Sequence, residues 1–199
     1  MPLTRRKVDG TAGRALVERT RDAQLTYAPV GISLGWQPAP EGFRTRTTER
    51  VVGQGSEAFA KVGYALMNWQ LHRQAGFQVE PQHDQVREGE RVGIVLPLLG
   101  IFGVSAICKV VAIVAEGDTI GVAYGSLPKH PLQGEESFVL SHRPDDSVVM
   151  TVTAVTRPAA WFVKLAGPIA GAKEAKTTQR YLDAAAHFAQ APASAHSEP

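Results

Sequence analysis

The sequence predicts an α+β fold in which one curved antiparallel sheet wraps around a long C-terminal helix. Three observations carry that expectation. One strongly periodic helical stretch, 57–75, follows a single strand. A run of β-patterned segments joined by short turn signals fills 77–156, and helical, alanine-rich sequence returns only near the end. A long antiparallel sheet with one apolar face can bury it by curling around the helix, which leaves a cavity between the two layers. A closed barrel with its helices outside is the competing arrangement.

Residues 1–22 are charged and weakly patterned, an arm or a frayed helix ahead of a single domain at 23–190. Segment 27–42 is rich in Pro and Gly and reads as packed irregular chain. Segment 43–52 alternates in the β manner, with Arg44, Arg46 and Arg50 on one face and Phe43, Thr45, Thr47 and Val51 on the other. A solvated arginine face is the plain reading, phosphate contact the sharper one. Gly53-Gln54-Gly55 ends the strand, and Ser56 suits the N-cap of the helix that follows. Phe59, Val62, Leu66 and Trp69 recur at three- and four-residue steps, widened by Tyr64, Met67 and Leu71, and Gly76 suits the C′ position.

Strands are expected at 77–80 and 91–96. Those at 104–115 and 119–127 flank Glu116-Gly117-Asp118, a hairpin signal. Those at 135–141 and 147–156 flank the turn sequence Arg143-Pro144-Asp145-Asp146. Helical turns at 159–166 are expected to break at Gly167-Pro168 before a longer helix, 169–189, whose small-residue face holds Leu182, Ala185, Ala186 and Ala189. Residues 191–199 read as a disordered tail.

Composition narrows the function classes. With 199 residues, 44% of them hydrophobic and 20% charged, the chain suits one globular domain, and a net charge of +2 calls for no nucleic acid or other acidic partner. Cys108 is the only cysteine, so no intrachain disulfide forms, which suits a reducing, cytoplasmic setting. No apolar stretch follows the basic first ten residues, so a secretory signal is not expected. Segment 92–108 has no charge, but Pro97, Gly100 and Gly103 interrupt it; two buried strands joined by an apolar loop fit better than a membrane-spanning helix.

Several chemistries lack their residues. Gly53-Gln54-Gly55-Ser56-Glu57-Ala58 fits a dinucleotide fingerprint in form, but its strand is charged and no βαβ alternation follows. The six histidines form no helical i, i+4 pair and have no cysteine at zinc spacing, so no metal and no other cofactor is expected. Cys108 sits in an apolar strand as packing, and no G-x-S-x-G element is present.

The segment 124–138 is the most distinctive. Tyr124-Gly125-Ser126-Leu127-Pro128-Lys129-His130-Pro131, then Gly134-Glu135-Glu136-Ser137-Phe138, resembles the signature of the DUF1990 family, also called UPF0548. Thr156-Arg157-Pro158 with Trp161 and Ala166-Gly167-Pro168 is similar to its second motif. Tyr27-Ala28-Pro29-Val30-Gly31 and Arg180-Tyr181-Leu182 match its two ends. The resemblance spans about 27–188 and departs in the N-terminal arm and in the apolar loop Leu98-Leu99-Gly100-Ile101-Phe102. It names a relative without an activity, the family being functionally uncharacterised. The element order is that of the helix-grip arrangement of the START and Bet v 1-like superfamily.

Read as chemistry, 128–134 is a hairpin loop that brings Tyr124, His130, Glu135 and Glu136 together. Glu136, Phe138 and Leu140 point one way from their strand and Glu135, Ser137 and Val139 the other, so one glutamate faces the inner side. An unpaired carboxylate there needs a partner or a raised pKa, and Arg157 is the expected partner. A polar cluster at a cavity mouth, with His130 and Glu136 as candidate acid–base groups, stands against a hairpin braced by a structural Glu–Arg pair. Phe102 and its loop are expected as core, as a portal over an apolar ligand, or as a contact between two copies of the chain. The functional expectation is a protein holding a small apolar or amphipathic molecule, contacted by Tyr124, His130, Glu135, Glu136, Arg157 and Phe102. The alternatives are an enzyme similar to the polyketide cyclases and dehydratases of that superfamily, or an interaction module.

Overall fold

The structure is a computed structural model that describes residues 3–5, 17–97, 102–159 and 161–191, with side chains over 17–95, 106–159 and 174–191. Along the chain run β1 (Leu3–Arg5), β2 (Arg44–Gln54), α1 (Gly55–Met67), α2 (Gln70–Gln74), β3 (Gln78–Pro81), β4 (Arg91–Pro97), β5 (Phe102–Glu116), β6 (Thr119–Ser126), β7 (Leu132–His142), β8 (Ser147–Pro158) and α3 (Trp161–Gln190). The expected helix-grip order is present. Every strand pair is antiparallel, and the sheet runs β2-β8-β7-β6-β5-β4-β3. The expected arm supplies one more pairing, since Leu3–Arg5 lies against Phe102–Val104 of β5.

One sheet face meets the three helices. Val62, Leu66, Trp69 and Leu71 from the first two helices join Val122, Phe138, Leu140, Met150 and Val152 from the strands and Leu182 and Ala185 from α3 in one buried cluster. Phe138 and Leu140, like Met150 and Val152, are two apart as the pleat demands, and Val62, Leu66 and Trp69 are four and three apart. The opposite sheet face is covered by the segment after residue 25: Tyr27 and Ile32 pack on Val155, with Leu25 and Phe43 beside them.

Four local expectations need correction. The stretch 57–75 is two helices, because Trp69 adopts the left-handed backbone conformation (φ 59) between α1 and α2. That turn costs about 1–3 kcal/mol in a bulky residue, and it sets the fully buried indole and the next helix into the core. The N-cap is Gln54 rather than Ser56, and it makes no side-chain cap bond. Tyr64, expected on the apolar stripe, is exposed. Finally, α3 runs unbroken through Gly167-Pro168. An interior proline removes one backbone hydrogen bond, roughly 3 kcal/mol with its clash, which a 30-residue helix docked on the sheet absorbs.

The arginine face of β2 is also turned. Arg46 and Arg50 lie on the helix side of the sheet, opposite Ala154 and Met150 of β8, and pair with Glu174 (3.6 Å) and Asp183 (2.9 Å) of α3. The arginine face stays largely solvated, with Arg44 and Arg46 exposed, but it also forms an edge seam with α3, and Val51 on the opposite face is exposed as well. Gly53 sits at a bulge where a Cβ would overlap the methyls of Ala58 and Ala189. The Gly-x-Gly turn therefore serves close packing of two helices on the strand, as a fingerprint without βαβ context would. Among the described residues no helix is long and apolar enough to cross a membrane.

Candidate functional site

The signature segment divides by the alternation of its strands. Gly125, Glu135 and Ser137 meet the segment 26–33 on one face of the sheet, Ser126 at the strand end reaches Thr26, and Tyr124, Glu136 and Phe138 point into the helix-covered face. Glu135 is almost fully buried, and each of its oxygens takes two hydrogen bonds. Oε2 accepts from the Tyr27 hydroxyl (2.6 Å) and the Gly31 N–H (2.9 Å). Oε1 accepts from the N–H (2.9 Å) and hydroxyl (2.6 Å) of Ser33. Burial, then the hydrogen bond to Glu135 and its charge, push the Tyr27 phenol far above its ordinary value. Ser126 Oγ accepts the Gly134 N–H (2.9 Å) and meets Thr26 Oγ1 (2.6 Å), and Ser137 Oγ donates to the Ser33 carbonyl (3.0 Å).

Two glycines follow from this crossing. A Cβ at Gly125 would overlap the Tyr27 phenol, and Gly134 adopts φ 139 with the Val155 carbonyl against it. Gly125→Ala is therefore expected to cost about 2 kcal/mol, the usual size of overpacking, and much less in a Tyr27→Ala background. Urea melts of the four proteins check this; equal costs in both backgrounds would dismiss the steric account.

On the helix side a cavity of about 240 Å³ opens between the sheet and α3. Phe77, Ile94, Cys108, Leu132, Val152 and Tyr181 contribute to its apolar wall, and Tyr124, His130, Glu136, Thr178 and the Arg46–Glu174 pair supply polar atoms. Its size sits just below the range of about 300–1,000 Å³ common for small-molecule pockets. Glu136 accepts one hydrogen bond, from the Tyr124 hydroxyl (3.0 Å), and no other donor among the described residues reaches its carboxyl. Burial raises its pKa to about 7; the Tyr124 bond opposes that shift and the Glu174 charge adds to it. The thiol of Cys108 and the phenols of Tyr124 and Tyr181 are pushed up, by burial first and by the Glu136 charge second.

Behind Tyr124 lies His72, fully buried, its Nε2 a long 3.4 Å from the Tyr124 hydroxyl and its Nδ1 without a partner. Trp69, Phe138 and Tyr181 surround the imidazole at ring-centroid distances of 5.1–5.2 Å, and burial lowers its pKa to about 3. His130 is half-buried at the cavity wall. Its Nδ1 lies 3.0 Å from the Leu132 N–H and 2.7 Å from the Leu132 carbonyl, so the ring satisfies one or the other by its tautomer. Burial lowers its pKa to about 4, against a backbone bond that raises it.

The expected site residues thus separate. Tyr124, His130 and Glu136 line one cavity. Glu135 contributes to the lining but spends its carboxylate on the opposite face. Arg157 pairs with neither glutamate; its Nε donates to Gln133 Oε1 (2.7 Å) and its guanidinium lies 4.8 Å from the Phe43 ring centroid, outside the cavity. The neutral donors of the 27–33 segment take the partner role expected of Arg157. Phe102 begins β5, but its side chain, like the rest of the 98–102 loop and the 192–199 tail, lies outside the described residues. Sequence reasoning missed His72, Glu174 and the role of Tyr181. The last had a signal in Arg180-Tyr181-Leu182; a histidine inside a helical apolar stripe had none. Among the described residues no three His, Cys, Asp or Glu side chains gather as a metal site.

The family profile DUF1990, a domain of unknown function, matches residues 26–184. The chain belongs to the DUF1990 family. A UPF0548 protein of Deinococcus radiodurans is 27% identical over 179 residues, covering 84% of this chain and 88% of that one. A hypothetical protein of Helicobacter pylori superposes with a TM-score of 0.59 at 13% identity, over 84% of this chain and all of that one. The Bet v 1-like protein Ara h 8.0201 does so at 0.53 and 13%, over 74% of this chain and 98% of its own. At such identity the likeness is one of fold, and the fold is the helix-grip α+β class. The DUF1990 match starts at the clamped segment and ends just beyond Tyr181, so it contains both the Glu135 clamp and the cavity.

Proposed function

We propose that this DUF1990 protein encloses a small, mostly apolar molecule between the sheet and α3, with Glu136 as its polar anchor. The observation that carries this reading is the carboxyl of Glu136. It faces a largely apolar cavity of about 240 Å³ with one protein hydrogen bond, whereas its neighbour Glu135 is saturated by four. Binding sites of this kind are concave, mostly apolar and fixed by a few polar groups. The single free cysteine supports a cytoplasmic place for it. A portal or a two-copy contact at the 98–102 loop belongs to the same proposal.

A second reading has its own support. His130 and Glu136 line one cavity, and a carboxyl with a pKa of about 7 can give or take a proton near neutrality, as an enzyme on this scaffold would require. One experiment addresses both. The ligand-free protein is expected to take up the neutral probe N-phenylnaphthylamine with a fluorescence gain. Ala154→Phe, which fills the cavity wall between Glu136 and Arg46, is expected to abolish that gain. Native mass spectrometry of a co-purified molecule then separates the readings, since a binder returns it unchanged and an enzyme alters its mass. Probe uptake that survives Ala154→Phe would remove the cavity from consideration.

A further inference from the structure

The polar atoms of the cavity are unevenly matched in kind. Tyr124 spends its one proton on Glu136 and Thr178 spends its own on the Glu174 carbonyl (3.2 Å), so neither hydroxyl has a proton left to donate to a ligand. Glu136 retains most of its acceptor positions, since a carboxylate offers about four and one is used. The cation contributed by the described lining residues, Arg46, is engaged with Glu174. His130 is held near its own backbone by Nδ1. Because Arg46 offsets Glu174, Glu136 is left to repel a ligand carboxylate or phosphate. A ligand that brings donors and positive charge would meet their complement.

Apolar and aromatic walls complete the match. The stacked rings of Phe77 and Tyr181, with centroids 5.0 Å apart, stand beside Ile94 and Cys108 in the wall. An ammonium group has three donors and no acceptor, which suits the open acceptor positions of Glu136. A cation arriving at Glu136 also relieves the cost of keeping that carboxylate in an apolar site, which a neutral ligand cannot do.

We propose that the cavity takes a small amine in its protonated form, its ammonium docked on Glu136 and its hydrocarbon part against Phe77, Ile94, Cys108 and Tyr181. This rests on the reading of the cavity as a ligand site and specifies the chemical class of the occupant.

The test uses three probes of equal chain length, octylammonium, octanol and octanoate, titrated calorimetrically into the full-length protein above the pH where Glu136 titrates. Octylammonium is expected to bind about tenfold or more tighter than octanol, with octanoate the weakest. Glu136→Gln is expected to remove that advantage, and the circular dichroism melt of the variant verifies its fold. If octanol or octanoate binds the native protein as well as octylammonium does, the amine proposal is overturned and the cavity reading stands. Should Glu136→Gln keep the ammonium preference, the assignment to Glu136 is wrong. If none of the three probes binds, the cavity reading itself falls, and the amine proposal with it.

Discussion

Glu135→Ala is expected to destabilise the protein by about 4 kcal/mol and to lower its melting temperature by about 12 °C. The number comes from what the substitution leaves behind. Four donors on Tyr27, Gly31 and Ser33 lose their acceptor at a residue that is 1% exposed. Each buried donor without a partner costs about 1–3 kcal/mol, so four cost at least about 4 kcal/mol, and local relaxation that lets some of them reach water keeps the sum at that lower end. In a domain of this length 1 kcal/mol moves the midpoint by about 2–4 °C. Glu135→Gln is expected to fall between native and alanine, because its amide oxygen accepts two bonds while its NH₂ faces the two donors of the other oxygen. The segment 26–33 should also gain amide exchange, since it is tied to the sheet mainly through this carboxylate, Ser126 and Ser137. A urea midpoint for Glu135→Ala within about 1 kcal/mol of native would mean that the segment is held by its apolar contacts instead.

The contrast with Glu136 shows what in the site was legible from sequence. Strand alternation alone says that two adjacent glutamates face opposite sides of a sheet, and Phe138 and Leu140 say which side is the core. Alternation is silent about partners that arrive from elsewhere in the chain. Arg157 was the nearest formal charge complement and lies on the neighbouring strand, across from Gln133. The groups that reach Glu135 come instead from more than 100 residues upstream, and two of the four are backbone N–H groups, which no residue type announces. His72 was illegible for a related reason. Its helical position is that of a core residue, and only the packed fold shows that Tyr124 of the sheet faces it.

Element order and the strands were readable because period-two alternation and turn residues are local. The hairpin at Gly117-Asp118 forms where its sequence places it, with Glu116 paired to Thr119. Three of the misreadings lie where tertiary packing overrides a local preference. Trp69 accepts a left-handed backbone to bury its indole, Pro168 sits inside a docked helix, and Arg46 and Arg50 face α3 because Glu174 and Asp183 lie there. A charged strand face reads as solvated in sequence, and only the position of the helix shows that it is an edge seam beside the cavity.

Glu136→Gln is expected to stabilise the protein by about 3 kcal/mol above neutral pH and to change nothing in acid. The sign follows from the direction of the shift. The carboxyl titrates at about 7 in the fold against 4.5 as its ordinary value, so the fold prefers its neutral form. That preference is a full contribution to stability below pH 4.5, is lost as pH rises through 7, and corresponds to about 1.4 kcal/mol for each pH unit of the shift. Glutamine keeps the acceptor for Tyr124 and never ionises, so its advantage should open across that same window. His72→Phe is the mirror test. The imidazole is lowered to about 3 from 6.5, so its contribution is complete above pH 6.5 and drains away as pH falls; phenylalanine should flatten the acid limb alone. Tyr124 touches both groups, and Tyr181 and Glu174 face them from α3, yet neither variant removes a charge partner of the other. Their effects should therefore add, one on each side of the stability maximum, when urea midpoints are followed across pH. Two variants that moved the same limb would mean that His72, Tyr124 and Glu136 titrate as one coupled unit. The cavity's preference for a cation would then have to be read against the charge of all three.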